Sequence, residues 1–96
     1  MGKYRLIPSD EKDIEEILIY IAGHDLDTAM AFYERLTAIF EMLADNNEAG
    51  RERDEIGDGL RSFPVESYIV FYRHWASNVA IVRVIHAARD LDEIFS

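Results

Sequence analysis

The chain has 96 residues, a net charge of −9 and no cysteine. This length predicts a single domain over residues 1–96, and the lack of cysteine excludes disulfides, thiolate metal sites and cysteine nucleophiles. The sequence contains no Walker loop, no GxGxxG motif and no nucleophile elbow. We therefore expect no cofactor and no metal, and the signals for catalysis are weak.

The charge is unevenly distributed along the chain. Residues 1–60 carry six Lys/Arg against 15 Asp/Glu, whereas residues 61–96 carry four Arg against four Asp/Glu. Nucleic-acid binding depends on Lys/Arg concentrated against phosphates, so direct tight binding to nucleic acid is disfavoured.

No apolar run approaches the ~20 residues that a membrane span needs, and the start lacks a signal peptide's apolar stretch. We expect no membrane association and a cytoplasmic location.

The first sixty residues predict a strand, two helices and a loop. Residues 3–7 form a short strand that Pro8 ends, and Ser9 or Asp10 can cap the helix that follows. Apolar residues at helical spacing predict two amphipathic helices, with a stop at Gly23 and a second cap at Asp25 or Asp27. The stripe of the first helix is Ile14, Ile17, Leu18 and Ile21, and that of the second is Ala29, Phe32, Tyr33, Leu36, Phe40 and Leu43, with Ile39 beside it.

The acidic residues of the first helix are interpreted as a solvated face. Residues 10–16 include five carboxylates, which are too adjacent in sequence to converge on one metal. The second helix is expected to end near Asn46-Asn47. Residues 47–59 are polar and contain glycine, which predicts a loop.

Three strand-like runs follow, at residues 60–63, 67–73 and 79–85. A short helical tail is predicted at 90–95. The order β-α-α-β-β-β predicts an α+β fold, in which a helical hairpin, formed by the closely joined helices, packs on one face of a small, mostly antiparallel sheet.

The second half of the chain supplies the candidate site residues. His86 with Arg89 and Asp90 is the most tempting cluster, because His can act as a general base and Arg can stabilise phosphoryl charge. A His bonded to backbone at a strand end explains His86 equally simply. Trp75 is either an anchor for a partner or packs against a turn. The candidates for binding a partner or target are Arg61, Arg73, Trp75, Arg83, His86 and Arg89.

Strand alternation argues against a catalytic site around Arg83 and His86. The two residues differ by three, so an unbroken strand places them on opposite faces unless a bulge or a strand end intervenes. Arg83 also interrupts the apolar row Val79, Ile81 and Ile85. It must either pair with a carboxylate of this chain or face an open groove, since burying it alone is very costly.

Several stretches resemble toxins of the RelE/ParE superfamily, closest to its ParE branch. Residues 50–55, Gly-Arg-Glu-Arg-Asp-Glu, and 59–64, Gly-Leu-Arg-Ser-Phe-Pro, resemble that family's loop and strand. Residues 68–73, Tyr-Ile-Val-Phe-Tyr-Arg, resemble its central strand, and 83–90 its closing strand and tail. The likeness spans essentially the whole chain.

This resemblance implies the toxin of a type II toxin–antitoxin pair, neutralised by a cognate ParD-like antitoxin whose flexible segment wraps it. ParE-type members block DNA gyrase, so gyrase is the expected target. RelE-type members cut mRNA on the ribosome, and that activity is one alternative, with Arg61, Arg83 and His86 around the cut phosphate. A non-toxic interaction module of the same fold is another. The acidic charge favours the gyrase inhibitor, which acts by binding and not by catalysis.

The helical hairpin is expected to carry the antitoxin site. Ile19 and Tyr20 lie off the main apolar stripe, so they can form a groove for an amphipathic segment of the antitoxin. Arg residues at the rim would then meet acidic residues of the antitoxin. A homodimer and a heterotetramer with the antitoxin are both compatible with the sequence.

Overall fold

The computed structural model describes residues 3–76 and 78–95. The elements in chain order are β1 (Tyr4–Leu6), α1 (Pro8–Ala22), α2 (Leu26–Asp45), β2 (Arg51–Glu52), β3 (Leu60–Val65), β4 (Tyr68–Trp75), β5 (Asn78–His86) and α3 (Leu91–Phe95). The described residues contain no helix long and apolar enough to cross a membrane.

The five strands form one sheet in the order β1-β5-β4-β3-β2. All neighbours are antiparallel except β1 and β5, which pair in parallel with Arg5 opposite Ala80. Helices α1 and α2 pack on one face of this sheet as a hairpin, and α3 packs on the other face. The predicted α+β architecture is confirmed.

Three local predictions are wrong. Helix α1 begins at Pro8 with Ile7 as its N-cap, and no side chain caps it, so neither Ser9 nor Asp10 has that role. Proline suits the first helical position because its φ is already helical and its missing N–H would have no partner there. The predicted loop at 47–59 contains β2, which adds a fifth strand. Strand β3 continues through Pro64 to Val65. Proline is tolerated there because β2 pairs only with Arg61 and Ser62 and leaves that side of Pro64 open.

Two apolar clusters lie on the two faces of the sheet. The larger one, between the sheet and the hairpin, includes Leu36, Phe40, Val70 and Tyr72. The smaller one, under α3, centres on Leu60, Phe71 and Ile85, and Phe95 packs edge-on against Phe71 with ring centres 4.9 Å apart. Because both faces are covered, β4 is apolar on both sides, as a central strand should be.

A β-bulge in β5 changes which face its side chains occupy. Phe71 pairs with Arg83 and Tyr72 with Ile81, so Val82 is the extra residue. Before the bulge Val79 and Ile81 face the hairpin; after it Val84 does, while Ile85 joins the cluster under α3. The predicted apolar row of Val79, Ile81 and Ile85 therefore does not exist as one face.

Tyr72 fixes the segment between α2 and β2. Its buried ring lies in the larger core, and its hydroxyl donates to the carbonyl oxygen of Asn47 at 3.0 Å and accepts from the N–H of Gly50 at 2.7 Å. A side chain at Gly50 would collide with the Tyr72 ring. The chain therefore leaves α2 along one defined path.

Candidate functional site

An exposed apolar groove lies between α1 and α2 on the hairpin. It has a volume of 420 Å³ and is lined by Leu18, Ile19, Ala22, Leu26, Ala29, Met30, Tyr33 and Glu34. Ile19, Leu26, Met30 and Tyr33 are between 48% and 64% exposed. Large apolar side chains grouped in this way on an otherwise polar surface mark an interaction site.

The groove differs in two ways from its prediction. Tyr33, expected in the core stripe, is exposed and lines the groove, and Tyr20 is exposed but lies outside it. The charged lining residue is Glu34, and no Arg is among the described residues that line the groove. The sequence patterns did not place Leu26, Met30 and Tyr33 in the groove, although their spacing of i, i+4 and i+7 forms a second apolar stripe.

A second depression brings together residues from α1, β4 and the end of β5. It has a volume of 380 Å³ and is lined by Asp13, Glu16, Ile17, Tyr20, Tyr68, Val84, Ile85, His86 and Arg89. His86 and Arg89, which the sequence grouped as candidates for a catalytic cluster, therefore line the same depression. Two carboxylates share it with them, which weakens its attraction for phosphate.

His86 is held at the end of β5. Its ring packs edge-on against Tyr68 with ring centres 5.2 Å apart, and its Nδ1 accepts the N–H of Ala88 at 3.0 Å. An Nδ1 that accepts a hydrogen bond carries no proton, so the neutral ring is protonated at Nε2. This is the backbone-bonded strand-end histidine that the sequence left as one of two interpretations.

Arg83 forms an ion pair with Asp13 of α1. Its Nε donates to one carboxylate oxygen at 2.7 Å and a terminal nitrogen to the other at 2.8 Å, and the first oxygen also accepts the N–H of Val84 at 3.1 Å. The hydrogen bonds that Arg83 donates to Asp13 raise the pKa of Arg83. Of the two interpretations of Arg83, the geometry matches pairing with a carboxylate of this chain.

Asp10 is buried next to this pair. The side chain is 0% exposed, and neither carboxylate oxygen has a hydrogen-bond partner among the described residues. Burial, with the nearby charges of Asp13 and Glu11 adding to it, raises the pKa of Asp10 to about 8, although Arg83 opposes the shift. The interpretation of residues 10–16 as a solvated face is therefore wrong for Asp10 and Asp13, which are both buried.

Arg61 and Arg73 hold the loops that precede β3. Arg61 donates to the carbonyl oxygen of Gly50 at 2.7 Å and to the carboxylate of Glu52 at 3.3 Å. Arg73 donates through Nε to the carbonyl oxygen of Asp58 at 3.2 Å. The fold thus places Arg61 and Arg83 in separate ion pairs, Arg61 at the loop before β3 and Arg83 against α1.

Comparison with known proteins identifies the family of this chain. The sequence matches, over residues 4–91, the family described as ParE toxin of type II toxin–antitoxin system, parDE. The chain belongs to the ParE toxin family. It is 32% identical over 69 residues to Toxin ParE3 of Caulobacter vibrioides, an alignment that covers 72% of this chain and 69% of that protein. The predicted resemblance is confirmed.

A solved ParE-containing structure has the same fold. The structure titled "Chromosomal ParDE TA system from P. aeruginosa" matches with a TM-score of 0.73, covering 90% of this chain and 96% of that chain at 16% identity. As a ParE toxin of a type II toxin–antitoxin system, the chain retains this fold with few shared residues, so the side chains discussed above must be considered individually.

Arg83→Ala should destabilise the toxin by about 2 kcal/mol, because it leaves the buried Asp13 carboxylate without its charged partner. Urea unfolding followed by circular dichroism measures this loss. Arg51→Ala, which removes an exposed Arg at the sheet edge, is the matched control and should change stability by less than about 0.5 kcal/mol. Equal effects of the two substitutions would contradict the structural role of the ion pair.

Asp10 should make the toxin less stable as the pH rises from about 4 to about 8. Its pKa in the folded state is raised to about 8, so the unfolded chain releases this proton first and becomes favoured across that window. Asp10→Asn removes the ionisation and should be more stable than the parent by about 2 kcal/mol or more at pH 8, with little difference at pH 4. Parallel pH profiles of the two proteins in urea unfolding would contradict the raised pKa.

Proposed function

We propose that the hairpin groove binds the amphipathic segment of a cognate ParD-like antitoxin. The observation that carries the proposal is the cluster of four large apolar side chains, Ile19, Leu26, Met30 and Tyr33, exposed on one surface of a highly charged chain. An amphipathic helix places residues at i, i+3, i+4 and i+7 into such a groove. Membership of a toxin family of type II toxin–antitoxin systems supports an antitoxin as the partner.

Glu34 at the groove suggests the charge of the docking segment. Apolar anchors would fill the groove, and a basic residue beside them would face Glu34, since complementary charge fixes register and excludes wrong partners. This pattern differs from the acidic antitoxin contact that the sequence suggested, because none of the described residues that line the groove is an Arg.

The toxin itself is proposed to inhibit DNA gyrase in the cytoplasm by protein binding, without catalysis. A ribonuclease needs a base, an acid and phosphate-facing cations within hydrogen-bond reach of one another. Arg83 is neutralised by Asp13, Arg61 is bonded to the loop before β3, and His86 shares its depression with Glu16. These placements favour binding over RNA cleavage.

Met30→Glu should weaken the complex with the antitoxin encoded beside this toxin by about tenfold or more, because a charge replaces an apolar anchor that the complex would bury. Co-expression and size-exclusion chromatography, followed by titration calorimetry, measure the effect. Ala38→Glu adds the same charge at an exposed position of α2 outside the groove and should leave the affinity within about twofold. An antitoxin that binds both variants equally would place its site elsewhere.

Induction of the toxin without antitoxin should stop replication and leave cellular mRNA intact, and purified toxin should inhibit gyrase supercoiling. His86→Ala should lower toxicity only as far as it lowers folding, since His86 holds the strand end and moves no proton. Primer extension on cellular mRNA, read beside a supercoiling assay, tests both statements. Cleavage within codons that disappears in His86→Ala would contradict gyrase inhibition and support the ribonuclease alternative.

A further inference from the structure

Met30 places a thioether at the surface of the hairpin groove. The residue is 57% exposed, and along α2 it lies one helical turn after Leu26 and one turn before Glu34. A thioether sulfur is polarisable and is oxidised by peroxides. The chain contains no cysteine, so no thiol of this chain competes with its methionines for an oxidant.

The structure separates Met30 from the other methionine that it describes. Met42, further along α2, is partly buried and packs against the larger core cluster under the hairpin. Met30 belongs to neither apolar cluster of the described residues. The third methionine, Met1, lies outside the described residues. A change in the polarity of Met30 therefore alters the surface of the groove and leaves the packing of the core intact.

Oxidation by a peroxide transfers one oxygen atom to the Met30 sulfur. A lone pair of the sulfur attacks one oxygen of hydrogen peroxide, and the S–O bond forms as the O–O bond breaks. The departing hydroxide takes the proton from the transferred oxygen and leaves as water. The sulfur loses two electrons and the peroxide gains two. The product is a sulfoxide, which is polar and chiral, and methionine sulfoxide reductases return it to the thioether.

A sulfoxide at position 30 introduces a hydrogen-bond acceptor into an apolar surface. The described residues that line the groove are apolar apart from Tyr33 and Glu34, and Tyr33 carries the one side-chain donor among them. Glu34 accepts hydrogen bonds and, as a carboxylate, donates none. An apolar side chain docked on Met30 would strip water from the sulfoxide oxygen and supply no donor in return, which costs free energy.

We propose that Met30 is a reversible oxidation site that controls antitoxin binding, with a peroxide as the oxidant. The proposal rests on the antitoxin site proposed above and adds a means of regulation to it. In the complex the antitoxin segment covers Met30 and protects it, whereas in the free toxin the side chain is open to solvent. A toxin oxidised while free binds its antitoxin less tightly and escapes neutralisation until the sulfoxide is reduced.

Brief treatment of the purified toxin with hydrogen peroxide should oxidise Met30 before Met42, which proteolytic digestion and mass spectrometry measure. The antitoxin encoded beside this toxin should then bind about tenfold more weakly in titration calorimetry. Circular dichroism and urea unfolding should stay unchanged, since Met30 lies outside both core clusters. Reduction by the two sulfoxide reductases, one for each epimer, should restore the affinity.

Met30→Leu is the matched control, because leucine keeps the size and apolar character of methionine and has no sulfur. Met1 and Met42 remain in this variant, so it reports any effect of their oxidation. Peroxide treatment should leave its antitoxin affinity within about twofold. A loss in treated Met30→Leu as large as that in the parent would overturn the proposal, because the sensitive residue would then lie elsewhere.

Two further outcomes distinguish this proposal from the antitoxin site on which it rests. Unchanged affinity of a toxin with fully oxidised Met30, together with a clear loss in Met30→Glu, would overturn the oxidation site and leave the groove as the antitoxin site. Equal rates of Met30 oxidation in the free toxin and in the complex, with no loss in Met30→Glu, would reject the groove itself and the oxidation site with it.

Discussion

The first half of α1 takes the place of a strand along the edge of β5, and the rest of the structure depends on this contact. Strand β1 ends at Leu6, yet hydrogen bonding along β5 continues. The N–H of Ile7 donates to the carbonyl oxygen of Ile81, the Ser9 hydroxyl donates to that of Val82, and Asp13 accepts the N–H of Val84. Backbone groups at an open sheet edge need such partners when they are covered.

Asp13 also brings Arg83 to the helix, which fixes how the hairpin sits on the sheet. The carboxylate binds a backbone N–H and a guanidinium simultaneously, so α1 can neither slide nor rotate without breaking charged hydrogen bonds. Asp10, one turn earlier, is buried by the same contact without a partner among the described residues. Close packing of α1 against β5 therefore carries a stability cost that depends on pH.

The contact between α1 and β5, with the β-bulge at Val82 next to it, separates two surfaces of the molecule. The hairpin presents an apolar groove beside Glu34, and a smaller cleft on the opposite face of the sheet is lined by Arg5, Ile7, Pro8, Trp75 and Ala80. The charged residue that lines the groove is Glu34, and the charged residue that lines the cleft is Arg5.

Sequence patterns located the helices, the three main strands and the fold class. Helical periodicity appears within eight residues and strand alternation within four, so local sequence is enough to find Ile14, Phe32 and Leu36 in the core. The groove was only partly predictable. Ile19 was identified by its position off the stripe. Tyr33 was assigned to the core because it lies at helical spacing from Ala29 and Leu36, and its exposure depends on where α1 lies.

The sequence by itself determined the order and amphipathic character of the elements, because those properties depend on neighbours a few residues apart. Only the tertiary structure decided the face of each side chain after Val82, since a bulge shifts the alternation by one residue and has no local signal. It also decided that Asp13 meets Arg83 and that Arg5 meets Trp75, partners separated by some seventy residues. Such pairs arise from strand order and helix placement, which no periodicity encodes.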